Sequence, residues 1–216
     1  MEVQMIPIFF SQVIIQASDH SEKCHQVKQV QLFLDPISSL GRHFVSNQYP
    51  QGDPCDWRGF YCDEGFISEV VFRERIFGNF NVHQLPPTVT KVVITKCEQT
   101  SVIHTRALPR ELAIFQMWEN KLYGSLDLTT LPEKIVDLLL QDNKISGPIS
   151  LTRLPWLIRT INICRNNIRQ RVVYYQNLPL NVRKILLLAD SGETNRIGAI
   201  RPINDTQVEN VIFLES

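Results

Sequence analysis

Apolar residues recur through the chain on a fixed beat. The dipeptide Leu-Pro begins at Leu85, Leu108, Leu131, Leu154 and Leu178, at spacings of 23, 23, 23 and 24 residues. Four, seven and nine places after each such leucine stand further apolar residues, as in Ile135, Leu138 and Leu140 or Val182, Ile185 and Leu187. Side chains alternate across an extended segment, so places seven and nine face inward while five, six, eight and ten face outward. Twelve places on stand Cys97, Asn120, Asn143, Asn166 and Asp190. Self-similarity at this period predicts stacked coils, each burying its apolar side against its neighbours.

The beat continues beyond the Leu-Pro markers. Ile67, Val70, Phe72, Ile76 and Gly78 make one earlier unit, shortened by a residue before Ile76, and Val208, Val211 and Phe213 suit a final strand after a looser coil containing Gly192, Ile197 and Ile200. Seven strands are predicted. A unit of this length has no room for a full helix opposite the strand, which predicts extended, 3₁₀ or short second-strand structure there. Upstream, Val27, Val30 and Leu34 recur at helical spacing. Asp35-Pro36 is the predicted N-cap and first position of a second helix carrying Ile37 and Leu40.

The unit L-P-x-x-L-x-x-L-x-L-x-x-N-x-L-x-G-x-I-x-L resembles the leucine-rich repeat over roughly the last two-thirds of the chain. The resemblance implies a solenoid of the α/β horseshoe class, with a concave parallel β-sheet of about seven strands, a short-helix N-terminal cap and a mostly non-helical convex side. At the twelfth place the amide can satisfy buried backbone groups where the chain leaves the strand. In leucine-rich repeats that place forms a ladder, which here comprises Asn120, Asn143 and Asn166, with Cys97 and Asp190 as substitutes. The segment "DPCDWRGFYCDEG" sets Cys55, Trp57, Gly59 and Cys62 in the order C-x-W-x-G-x-x-C. It resembles the N-terminal cap of plant-type extracellular leucine-rich repeat proteins, such as receptor-kinase ectodomains and polygalacturonase inhibitors, and this implies a structural disulfide between Cys55 and Cys62. The pattern departs from that type in its 23-residue unit and in Ser150, which follows Ile149 where Pro is usual, so the resemblance covers architecture and cap and not a plant receptor. The expected division is residues 1–17 as a signal peptide or packed N-terminal segment, 18–65 as cap and 66–216 as repeats.

Composition narrows the chemistry. A chain of 216 residues with 44% hydrophobic content can bury a sizeable core. Its 22 basic and 22 acidic residues give zero formal charge, which argues against nucleic acid as a partner. "MIPIFFSQVIIQA" is apolar over signal-peptide length, but Glu2 replaces the usual basic start and Ser11-Gln12 interrupts it. It is too short to span a bilayer. Cys24, Cys97 and Cys164 are scattered, no ligand cluster suggests a metal, and no motif suggests a cofactor. None of the five histidines accompanies a nucleophile elbow, and the adjacent Cys24 and His25 point in different directions on a helix, so no catalytic residue is assigned. Asn204-Asp205-Thr206 is a glycosylation sequon at Asn204.

Outward residues that vary from coil to coil are the candidate partner contacts. Trp118, ringed by Gln116, Asp137, Gln141 and Asn162 with Leu139 and Leu186, has the make-up of a binding hot spot. Arg159, Arg165 and Lys184 add a positive edge beside it, extended by Arg183. The competing reading makes Trp118 a filler packed across neighbouring strands. Two function classes follow: a secreted or cell-surface module, favoured by the cap, that recognises a protein or glycan ligand through its concave face; or an intracellular scaffold docked through that face and its C-terminal edge. Val208, Val211, Ile212, Phe213 and Leu214 make an apolar edge suited to self-association.

Overall fold

The computed structural model describes residues 8–188, 195–203 and 212–213, with side chains described for 21–188 and 195–203. Two helices, α1 (Ile8–Leu34) and α2 (Ser39–Val45), precede a hairpin of β1 (Phe60–Asp63) and β2 (Phe66–Arg73). The chain continues through β3 (Lys91–Thr95), β4 (Ile114–Gln116), β5 (Tyr123–Ser125), β6 (Asp137–Leu139), β7 (Lys144–Ser146) and β8 (Thr160–Asn162). It then forms β9 (Arg169–Tyr175), β10 (Lys184–Leu186), β11 (Arg196–Pro202) and β12 (Ile212–Phe213). Strands β2, β3, β4, β6, β8, β10 and β12 pair in parallel in chain order, the seven strands the period predicts. In-register stacking of equivalent places aligns Phe115, Leu138 and Ile161, all fully or almost fully buried. The opposite side carries 3₁₀ turns at Val82–Gln84, Thr105–Ala107 and Leu128–Thr130 and two parallel pairs, β5–β7 and β9–β11.

The cap differs from expectation in three ways. First, α1 is one long helix of 27 residues where short helices were expected. No Gly or Pro lies between Ile8 and Leu34, and the helix stops where Asp35 precedes a proline, a position pushed out of the helical region. Second, α2 starts three residues later than Asp35-Pro36 would place it, because Ser38 Oγ accepts from the Gly41 N–H at 3.1 Å and serves as the N-cap. Ile37 is instead buried and bridges Gly78, while Leu40 is exposed. Third, β1 adds an antiparallel eighth strand beside β2. Glu64 and Gly65 both take positive φ in the two-residue hairpin turn, and the added strand covers the N-terminal edge of the sheet.

A disulfide joins Cys55 and Cys62 across this cap. Beneath it Trp57, Phe33, Phe60, Phe72 and Phe80 form a buried aromatic cluster, with Phe72 and Phe80 stacked at 4.5 Å between centroids. Gly59, at φ +90°, is required here, since a Cβ would lie 2.6 Å from the Phe72 ring. The shortened first coil also resolves differently: Ile76 is 68% exposed, and Phe77 packs against the core beside Phe44. The next coil compensates with Gln99, which stands where later coils carry Leu122, Ile145 and Ile168. Buried Gln99 accepts from Phe80 N–H at 2.7 Å and donates to the carbonyls of Gly78 and Cys97 at 2.8 and 3.0 Å.

Polar groups inside the coils are tied by a ladder. Asn143 Oδ1 accepts from Leu122 N–H at 2.9 Å, and its Nδ2 donates to Met117 and Leu140 carbonyls at 2.9 and 3.1 Å. Asn120 and Asn166 repeat the scheme one coil away in each direction. Cys97 takes the rung before them, its thiol donating to the carbonyls of Thr95 and Phe72 at 3.1 and 3.6 Å. Asp190 lies outside the described residues. The rung of that coil is made by Asn195, whose Oδ1 accepts from Ile168 N–H at 3.0 Å and whose Nδ2 donates to Ile163 and Leu187 carbonyls at 2.8 and 2.7 Å.

Candidate recognition face

Cross-strand register sets the predicted contacts in rows on the concave sheet. Gln116, Leu139, Asn162 and Leu186 align in one, and Asp137, Thr160 and Lys184 in the next. Trp118 and Gln141 lie just past the ends of β4 and β6, where Glu119 N–H donates to the Gln141 carbonyl at 3.0 Å and joins the two coils. Trp118 is half-buried, and the Lys96 ammonium stands 5.6 Å from its ring centroid, in reach of a cation–π contact. Lys96 is itself 3.8 Å from both Glu74 and Glu119. Next to this arrangement, Gln141 Oε1 is buried with no hydrogen-bond donor.

Two predicted contacts change character. Leu186 is only 7% exposed and is covered, as are Val93, Thr95 and Cys164 on the same face. Side chains converge on a concave surface, so an outward direction in one strand does not ensure access. Arg165 is held by Asp142 of the preceding coil in a two-point ion pair, Nε–Oδ1 at 2.5 Å and Nη2–Oδ2 at 2.7 Å. That pair neutralises its charge and raises the Arg165 pKa further. Arg159 and Arg183 are exposed and Lys184 half-buried, so they carry the positive edge without Arg165.

Burial pushes the Cys97 and Cys164 thiols above the ordinary range, which holds them as neutral, poorly nucleophilic groups. Among the described residues no group of three His, Cys, Asp or Glu side chains could hold a metal ion. No described helix is long and apolar enough to cross a membrane. Asn204, Val208, Val211 and Leu214 lie outside the described residues; Ile212 and Phe213 form β12, paired with Lys184 and Ile185.

Some features escaped the sequence pattern. Trp156 and Leu180 occupy the second place of consecutive coils and are 69% and 95% exposed. The signal was present, since Arg110 and Glu133 fill that place elsewhere. Asn195 was also legible, because Asn195-Arg196-Ile197 repeats the Asn-x-Ile/Leu step of Asn120, Asn143 and Asn166, whereas Asp190 is followed two places on by Gly192.

Repeating coils, a polar ladder and a concave sheet with seven parallel strands define a leucine-rich repeat solenoid. Among solved structures the chain is similar to pollen receptor kinase 3, with a TM-score of 0.61 and 13% identity over 84% of this chain and 99% of that one. It is also similar to the leucine-rich repeat ectodomain of the receptor kinase SOBIR1 from Arabidopsis thaliana, with a TM-score of 0.55 and 15% identity over 83% of this chain and 96% of that one. At such identities the likeness is one of fold. Comparison with protein-family models and with curated proteins finds no match.

Proposed function

We propose that this chain is a non-catalytic recognition module, secreted or displayed at a cell surface, that binds a protein or glycan on its concave sheet. The observation that carries the reading is the in-register row of Gln116, Leu139 and Asn162 beside half-buried Trp118. Trp118 supplies contact area, Gln116, Asp137 and Asn162 supply directional polar groups, and Arg159 and Lys184 supply positive charge at the rim. The Cys55–Cys62 disulfide favours an oxidising compartment. The SOBIR1 structure is that of an ectodomain, which agrees. Both weigh against an intracellular scaffold docked through the same face and the C-terminal edge.

The test is a binding screen of the whole chain against arrayed glycans and the secreted and surface proteins of its native source. A ligand bound by the wild type and lost, by at least about 2 kcal/mol, in a correctly folded Trp118→Ala variant supports the reading. Ligands that bind both forms equally overturn it. Intact mass before and after reduction of native-source protein tests the compartment, and two free thiols at Cys55 and Cys62 would refute it.

A further inference from the structure

The zero net charge conceals a separation. Between Asn143 and Ile203 the chain carries ten Lys and Arg against two acidic residues, Asp190 and Glu193. Earlier coils match their bases to acids of the neighbouring coil, as Lys91 to Glu69, Lys121 to Glu98 and Lys134 to Glu111. The β9–β11 pair breaks this rule. Arg169 and Arg196 are direct cross-strand partners, on strands about 4.8 Å apart, where like charges repel. Arg171 follows two residues on, and all three are exposed. No ion pair among the described residues reaches any of them.

The surface between them is open by construction. Gly198 passes so close to β9 that a Cβ would lie 2.7 Å from the Arg171 carbonyl oxygen, and beside this close approach lies a shallow, open trough lined by Arg169, Arg171 and Arg196 with Gln170 and Asn195. Guanidinium groups present two parallel N–H donors to a planar or tetrahedral oxyanion. An anion seated here would relieve the repulsion between Arg169 and Arg196 and form paired bonds at the same time.

From this geometry we infer that the β9–β11 trough binds an acidic saccharide, its sulfate or carboxylate groups held by Arg169, Arg171 and Arg196. The trough has no aromatic lining on which bases would stack. Nor is it flanked by a large apolar side chain that would enter a bilayer, Ile197 being half-buried. The site lies on a sheet separate from the concave one and is independent of the function proposed above.

The experiment is calorimetric titration of the whole chain with a heparin tetrasaccharide and an oligogalacturonate, which distinguish sulfate from carboxylate. A neutral oligosaccharide, an oligonucleotide and anionic vesicles complete the set. The expected result is binding of at least one acidic saccharide that weakens as salt rises. Affinity should fall at least ten-fold in Arg169→Gln/Arg171→Gln/Arg196→Gln and stay unchanged in Arg106→Gln/Arg110→Gln/Arg153→Gln, which removes the same charge elsewhere. Trp118→Ala should also bind as the wild type, which separates this site from the concave face. Circular dichroism melting confirms that each variant is folded. Absence of acidic-saccharide binding, equal loss in the two triple variants, or stronger binding of the oligonucleotide or vesicles overturns the inference.

Discussion

Replacing Asn195 by alanine tests the ladder where its assignment departs most from the sequence pattern. The substitution leaves the Ile168 N–H without its acceptor and removes the amide that reaches the Ile163 and Leu187 carbonyls. A buried donor or acceptor left unmet costs about 1–3 kcal/mol. Carbonyls with a second lone pair lose less than an N–H that has only one bond to make. The expected destabilisation is therefore about 2–4 kcal/mol, a large fraction of the about 5–15 kcal/mol that holds a domain of this kind together. Asn143→Ala removes an equivalent rung and should cost about the same, while Asp190→Ala should cost less. Urea denaturation gives the midpoints, and the slope checks that the array still unfolds as one unit. Amide exchange adds a local readout, in which Ile168 loses protection in Asn195→Ala alone. If Asp190→Ala proved the costlier change, or Ile168 kept its protection, the rung would belong elsewhere.

Leu138→Ala removes fully buried methyl groups between Phe115 and Ile161 and should cost about 2–5 kcal/mol in urea denaturation. Trp118→Ala, at a half-buried position, should leave the urea midpoint nearly unchanged while weakening ligand binding; unfolding instead would make Trp118 a core residue. Reducing the Cys55–Cys62 bond, which spans seven positions, should lower stability by about 2 kcal/mol on the loop-entropy relation, and an unchanged midpoint with dithiothreitol would contradict it. His83 accepts the His104 N–H at 3.0 Å, and burial first, then the neighbouring His104, lower its pKa below the ordinary 6.5. The contribution is complete above pH 6.5 and is lost as pH falls through the lower folded pKa, so His83→Gln should flatten the stability profile in that acid window.

Much of the fold was legible because the relevant interactions are local and repeated. Places seven and nine alternate inward by backbone geometry, so Leu138 and Ile161 declare themselves from the period alone. The first coil was harder. A single missing residue rotates the later places of that coil, and only the packing of Phe77 beside Phe44 and the hydrogen bonds of Gln99 decide that Ile76 faces solvent. In the candidate site, the rows of Gln116, Leu139 and Asn162 follow from register, but the cover over Leu186 does not.

The sequence by itself determined the number and phase of the coils, the inward residues, the Asn rungs at 120, 143 and 166, and the Cys-Trp segment that closes the N-terminal end. Each of these rests on a pattern that one coil displays and the next repeats. Only the tertiary structure decided that Arg165 is neutralised by Asp142, and that Arg169 stands beside Arg196, 27 residues on, with no acid among the described residues paired to either. It alone showed that Gln141 Oε1 has no donor. The reason is distance. Exposure, charge balance and hydrogen-bond satisfaction depend on which groups an adjacent coil brings to within about 4.8 Å, and a strand's own residues do not state what its neighbour will place there.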